Sequence, residues 1–179
     1  MALDQRRQVW LDGGLALAWA IFIWILGSDS FSHSETSRIL GPLLEWLFPD
    51  WSMEARRDIA DVIRKLAHPV VYGVFAVLAL RFVDGRQRLR FGRSPVWVAC
   101  LTALAASALL ATLDESRQAS LSSRTGSAFD VGLDVFGAGL ALAVATTAAS
   151  LAGGRLLGIP GWPDDGGDAP APPSGPPGA

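Results

Sequence analysis

Apolar residues in this chain fall in four long blocks separated by stretches dense in charge, rather than at the alternating or three-to-four spacing of an ordinary soluble fold. The blocks are residues 9–26, broken only by Asp12, Gly13 and Gly14; 67–83, with Arg81 near its end; 95–113, with no charge; and 129–152, with Asp130 and Asp134 near its start. A helix needs about 20 residues, within about 17–25, to cross a hydrocarbon core. Each block therefore predicts a spanning helix, and the fold class expected is all-α: a polytopic membrane protein with four transmembrane helices over residues 9–152.

The connections carry their own pattern. In "SMEARRDIADVIRKLAH", Ile59, Val62, Ile63 and Leu66 recur at helical spacing among Arg56, Arg57, Asp58 and Asp61. This predicts an amphipathic interfacial helix that runs into the second span. Pro42 and Pro49 bracket "LLEWLF", a short apolar piece at the same interface. The last stretch, residues 158–179, is rich in Pro and Gly with almost nothing to bury, and is expected to be a disordered tail.

Orientation follows from the basic residues. The connection between the second and third spans, "RFVDGRQRLRFGRS", holds five Arg against one Asp and is short, which predicts a cytoplasmic position. The N- and C-termini are then cytoplasmic too, in a multi-pass protein of the cell membrane, and the amphipathic helix faces outward. The 27–66 connection also holds five basic residues, but among seven acidic ones and over a longer stretch. Arg6 and Arg7 precede the first block as they would in a signal peptide, yet Trp19 and Trp24 lie inside it and no convincing cleavage site follows. The first span is expected to be retained.

Half of the 179 residues are hydrophobic and the net charge is −2. No basic patch interleaved with aromatics points to nucleic acid. The single cysteine, Cys100, excludes a disulfide within the chain and a cysteine-based metal site. His33 has no partner at motif spacing and no pair of His stands at zinc-ligand spacing; one His with carboxylates could hold a hard cation loosely, but neither a metal nor a cofactor is expected.

The remaining charges gather at one end of the expected bundle. Lys65, His68 and Tyr72 share a helix face at the start of the second span; Asp114, Glu115 and Gln118 follow the third; Asp130, Asp134, Gly137 and Ala141 form one stripe opening the fourth. Carboxylates within a membrane are costly and usually face inward toward partners. Arg117, Arg124 and Lys65 are the cations at hand, and the small residues Gly137, Gly139 and Ala141 let a neighbouring helix approach closely. The pattern predicts a polar, outward-facing pocket walled by tightly packed helices.

The same residues carry a resemblance. "RKLAHPVVYGVFAVLAL" followed by "DESRQASLSSRTGSAFDVGLDVFGAGLAL" resembles the VanZ-like family of small bacterial membrane proteins. The shared features are Lys65, His68 and Tyr72; Glu115 and Gln118; Arg124 and Asp130; then Gly137 and Gly139. "WAIFIWILGSDSFSHSE" is similar to the family's first span and its Ser-rich exit, so the likeness covers about residues 15–150. The chain departs from the pattern at Arg64, Pro69 and Asp134, where the family often has Asp, an aromatic and Asn. The resemblance implies a place in the bacterial envelope. The family's namesake is associated with low-level resistance to the glycopeptide teicoplanin, and no reaction is agreed for the family.

Two functions compete, with a third reading beside them. As an enzyme on a membrane lipid or cell-wall precursor, the protein would use Glu115 and His68 as its acid–base pair. Lys65, Tyr72, Gln118, Arg124, Asp130 and Asp134 would bind substrate, with Arg124 able to take a phosphate or carboxylate in bidentate fashion. As a non-catalytic protein, the same residues would capture an envelope lipid or drug, or dock a partner. In the third reading the cluster only staples the helices together. No oligomeric state is implied.

Overall fold

The computed structural model describes residues 2–28, 33–92, 94–120 and 127–152, apart from the side chains of residues 2, 33–39 and 64. The expected tail and Arg124 lie outside the described residues. Five helices follow one another: α1 (Ala2–Leu26), α2 (His33–Leu47), α3 (Met53–Phe91), α4 (Val96–Ala119) and α5 (Ala128–Leu151). No strand occurs among the described residues. Four helices, α1, α3, α4 and α5, are long and apolar enough to cross a membrane.

The spans run alternately up and down the bundle. Val9 meets Gly85, and Gly13 meets Phe82, so α1 and α3 are antiparallel. Tyr72 reaches Asp114, which sets α4 antiparallel to α3, while Gly73 against Ala141 and Pro69 against Gly137 set α5 parallel to it. The long helix α3 packs on all four others and forms the axis of the fold.

The expected amphipathic helix and the expected Arg-rich connection both belong to α3. At 1.5 Å per residue its 39 residues reach about 58 Å, against about 30 Å for a hydrocarbon core, so the span is extended at both ends. The Ser52 hydroxyl starts it by accepting from the Ala55 N–H at 3.1 Å. Gly92 ends it in the left-handed conformation, φ 71°, donating its N–H to the Arg88 carbonyl. Only glycine takes that conformation without strain. Thus residues 81–91 of the expected connection are helix. Pro69 sits inside the helix without ending it, although its missing N–H leaves the Lys65 carbonyl without its usual donor.

Of the apolar piece "LLEWLF", all but Phe48 lies in α2, a 15-residue helix that also runs through Pro42. Leu40, Leu43, Leu44 and Leu47 share the three-to-four spacing, and Leu44 is buried. Glu45 pairs with Arg56 at 3.5 Å to tie α2 to α3, and an open groove of about 300 Å³ lies between the two helices, lined by Gly41, Pro42 and Arg57 among others.

The outside of the bundle is greasy: Leu17, Trp97, Leu101, Leu109, Phe136, Leu140 and Val144 all face outward. Its interior is made largely of small residues, with Ala76, Ala79, Ala99, Ala103, Ala111 and Ala138 buried around Tyr72, Phe75 and Leu80. This is the arrangement suited to lipid, where helices gain little from burying large apolar side chains and associate through close backbone approach.

Candidate functional site

Polar side chains are buried at both ends of the bundle. At the end holding the N-terminus of α1, Asp12 accepts from Gln8 and from Arg81, the latter at 3.0 Å, and Asp84 accepts from Arg88 at 2.8 Å. Each carboxylate here has a basic neighbour, and the pair Asp12–Arg81 joins α1 to α3. Asp12 interrupts an apolar block, so the rule that intramembrane carboxylates seek partners applied to it as much as to Asp134.

The opposite end holds most of the expected site. Asp114, Glu115 and Gln118 do not follow the third span; α4 continues to Ala119 and all three are buried within the bundle. The carboxylate of Asp114 is the hub. Its Oδ1 accepts from Arg117 Nη2 at 2.9 Å, and its Oδ2 from Gln118 Nε2 at 2.9 Å and from the Tyr72 hydroxyl at 3.4 Å. Arg117 also donates to the Trp24 carbonyl at 2.7 Å and lies over the Trp24 ring, 4.2 Å from its centroid. The guanidinium thereby closes the C-terminal end of α1, where the last carbonyls have no helical donor. Arg117 is the cation that the sequence pattern placed nearby but did not assign.

Glu115 and Asp134 have different surroundings. Glu115 Oε2, on α4, accepts from the N–H of Ser127, just before α5, at 3.1 Å. Ser127 caps α5, so this carboxylate also faces the positive end of the α5 dipole. Asp134 lies a turn deeper and is 1% exposed. Its Oδ2 is 3.7 Å from His68 Nδ1, too far for a hydrogen bond, and neither of its oxygens accepts one from any described residue. Donor atoms of His68, Glu115 and Asp134, from three different helices, lie within 4.8 Å of one another.

Glycines set this convergence. A Cβ on Gly137 would lie 2.6 Å from Pro69 Cα, and one on Gly73 would lie 3.0 Å from Ala141 Cβ. Their absence lets α5 close on α3 directly beside His68 and Asp134. Gly139, expected in the same stripe, faces Leu104 at an ordinary 3.9 Å and has no such role. Gly27, at the end of α1, leaves room for Asp114 and Arg117.

The ordered signature along the chain and this four-span bundle meet in one comparison: a family model described as VanZ/LLP1 matches residues 14–149. The chain belongs to the VanZ/LLP1 family. No curated protein and no solved structure matches it. Within this VanZ/LLP1 bundle, five of the eight expected site residues, His68, Tyr72, Glu115, Gln118 and Asp134, come together. Lys65 is exposed on α3, and Asp130 is half-buried in the first turn of α5.

Proposed function

We propose that this VanZ-family membrane protein acts in the bacterial cell envelope by binding the polar headgroup of a membrane lipid or lipid-linked cell-wall precursor, and that this binding underlies tolerance to glycopeptides such as teicoplanin. The observation that supports it is the division of the polar cluster into two halves. Around Asp114 every acceptor is used, by Arg117, Gln118 and Tyr72, as a structural staple requires. Beside it Asp134 is buried with both oxygens lacking a hydrogen bond from any described residue. Unsatisfied carboxylate oxygens at that depth are costly, and native structures rarely keep such groups without a use.

The stapling reading draws on the Asp114 half alone. Under the headgroup reading, Glu115 and His68 either hold the ligand or move a proton on it. A photoactivatable lipid with a diphosphate headgroup, incorporated with the purified protein in nanodiscs, tests binding. Crosslinks concentrated near residues 68–72, 114–118 and 130–137, and competed by unlabelled diphosphate lipid, are expected. Labelling spread evenly over the apolar exterior would overturn the reading.

A further inference from the structure

We propose that His68, Glu115 and Asp134 form a binding site for one divalent transition-metal ion, Zn²⁺ or Mn²⁺. Three observations lead there. The donors come from three helices, α3, α4 and α5, and lie within 4.8 Å of one another. One imidazole nitrogen with two carboxylates is a mixed donor set, suited to borderline and moderately hard ions rather than to thiolate-seeking ones. The third observation is independent of the clustering: Asp134, 1% exposed, keeps both oxygens without a hydrogen bond from any described residue.

The spacing fits the same reading. At 3.7 Å, His68 Nδ1 and Asp134 Oδ2 are too far apart to share a proton. Two ligands bound to one ion at about 2.0–2.2 Å each stand about 3.3–3.8 Å apart at ordinary coordination angles. A cation would fill the gap between the two groups, which otherwise meet only as an ion pair when His68 is protonated, and Arg117 does not compete for Asp134, since that guanidinium is committed to Asp114 and the Trp24 carbonyl. Three protein ligands leave coordination positions open, as in sites where a metal receives substrate. Glu115 is already oriented by the Ser127 N–H, which leaves its other oxygen for the ion.

The sequence alone pointed away from a metal because its two His are far apart and no ligand pair has motif spacing; only the packing of α5 on α3 at Gly137 assembles the set. As a cation site the inference stands by itself. As the means of gripping a phosphate headgroup, it rests on the function proposed above.

The test uses tag-free full-length protein in detergent, stripped with chelator, dialysed against Zn²⁺ or Mn²⁺ and assayed for bound metal. About one equivalent per chain is expected for the wild type and for Glu45→Gln, a control on the distant α2. At least tenfold weaker binding is expected for Asp134→Asn and Glu115→Gln. X-ray absorption on the zinc-loaded wild type covers variants that fail to fold, and should show one imidazole and oxygen donors without sulfur. No stoichiometric binding of either ion, equal binding in all variants, or sulfur from Cys100 in the shell would overturn the proposal. Crosslinking to the diphosphate lipid, repeated on metal-free and loaded protein, separates the two readings. Equal labelling in both states overturns the metal's role in gripping the headgroup and leaves lipid binding intact, whereas metal bound without specific labelling overturns the lipid reading alone.

Discussion

Gly137 lies directly against Pro69, so close that a Cβ added at 137 would stand 2.6 Å from the proline Cα. The neighbour is backbone, which cannot turn aside as a flexible side chain would. This contact sets how near α5 comes to α3, and through it the distance between His68 and Asp134.

Gly137→Ala should therefore cost about 1–3 kcal/mol, the usual range for overpacking an interior, at the upper end because backbone must shift. It should also part His68 from Asp134. Gly139→Ala, facing Leu104 at 3.9 Å, should be neutral. Thermal denaturation of the two variants in detergent checks this; equal midpoints would refute the close-packing account.

The Asp114 hub makes a different prediction. Arg117→Met removes the only basic partner of Asp114 among the described residues and leaves a carboxylate 1% exposed. Breaking a buried pair from one side costs about 3–5 kcal/mol. The double variant Asp114→Asn, Arg117→Met removes the stranded charge and should recover part of the loss. A double-mutant cycle by denaturation measures the coupling; additive effects would mean that the pair contributes no more than its members alone.

How much of this was legible beforehand differs by residue. The four spans were, because block hydrophobicity at about 20 residues is a strong signal. The ends of helices were not: charge in "RFVDGRQRLRFGRS" and "DESRQ" reads as loop, yet Asp84, Asp114 and Glu115 stay helical, each with a donor at hand in Arg88, Arg117 and the Ser127 N–H respectively, although one oxygen of Asp84 takes none. A signal for burial was present. Ala99, Ala103, Ser107 and Ala111 recur every four residues along α4, are all buried, and the same step leads to Glu115. The partner of Asp114 was hidden because Arg117 is positioned by a carbonyl and a ring on α1, 93 residues away. Helix α2 was obscured by Pro42, which reads as a breaker because an interior proline removes a helix hydrogen bond, yet α2 runs through it.

Orientation yields a prediction that the fold refines. The Arg-rich end of α3 predicts a cytoplasmic position, but Gln87 is half-buried and accepts from the Ser94 hydroxyl at 2.8 Å, so it makes a poor reporter. Arg90 and Ser120 are exposed near opposite ends of the bundle. In a Cys100→Ser background, Arg90→Cys should resist an impermeant maleimide in intact cells, while Ser120→Cys should react. The reverse pattern would place the polar cluster on the cytoplasmic side.

The last prediction separates a working cluster from a staple. Glu115→Gln keeps the side chain's size and leaves an amide oxygen able to accept from the Ser127 N–H, so the link between α4 and α5 survives while the charge is lost. If the cluster serves binding or chemistry, this variant should accumulate and melt like the wild type yet lose glycopeptide tolerance on overexpression. His68→Ala should lose it as well, and so should Arg124→Ala. Paired variants should cost little beyond single ones, because residues acting as a unit are non-additive. If the cluster only holds helices together, Glu115→Gln should behave as wild type in every respect, tolerance included, while Arg117→Met, which strands Asp114, loses stability under either reading. Membrane yield, melting temperature and minimum inhibitory concentration, measured together on the same strains, distinguish the two outcomes. Full tolerance at normal yield for Glu115→Gln, His68→Ala and Arg124→Ala alike would remove the case for a functional cluster.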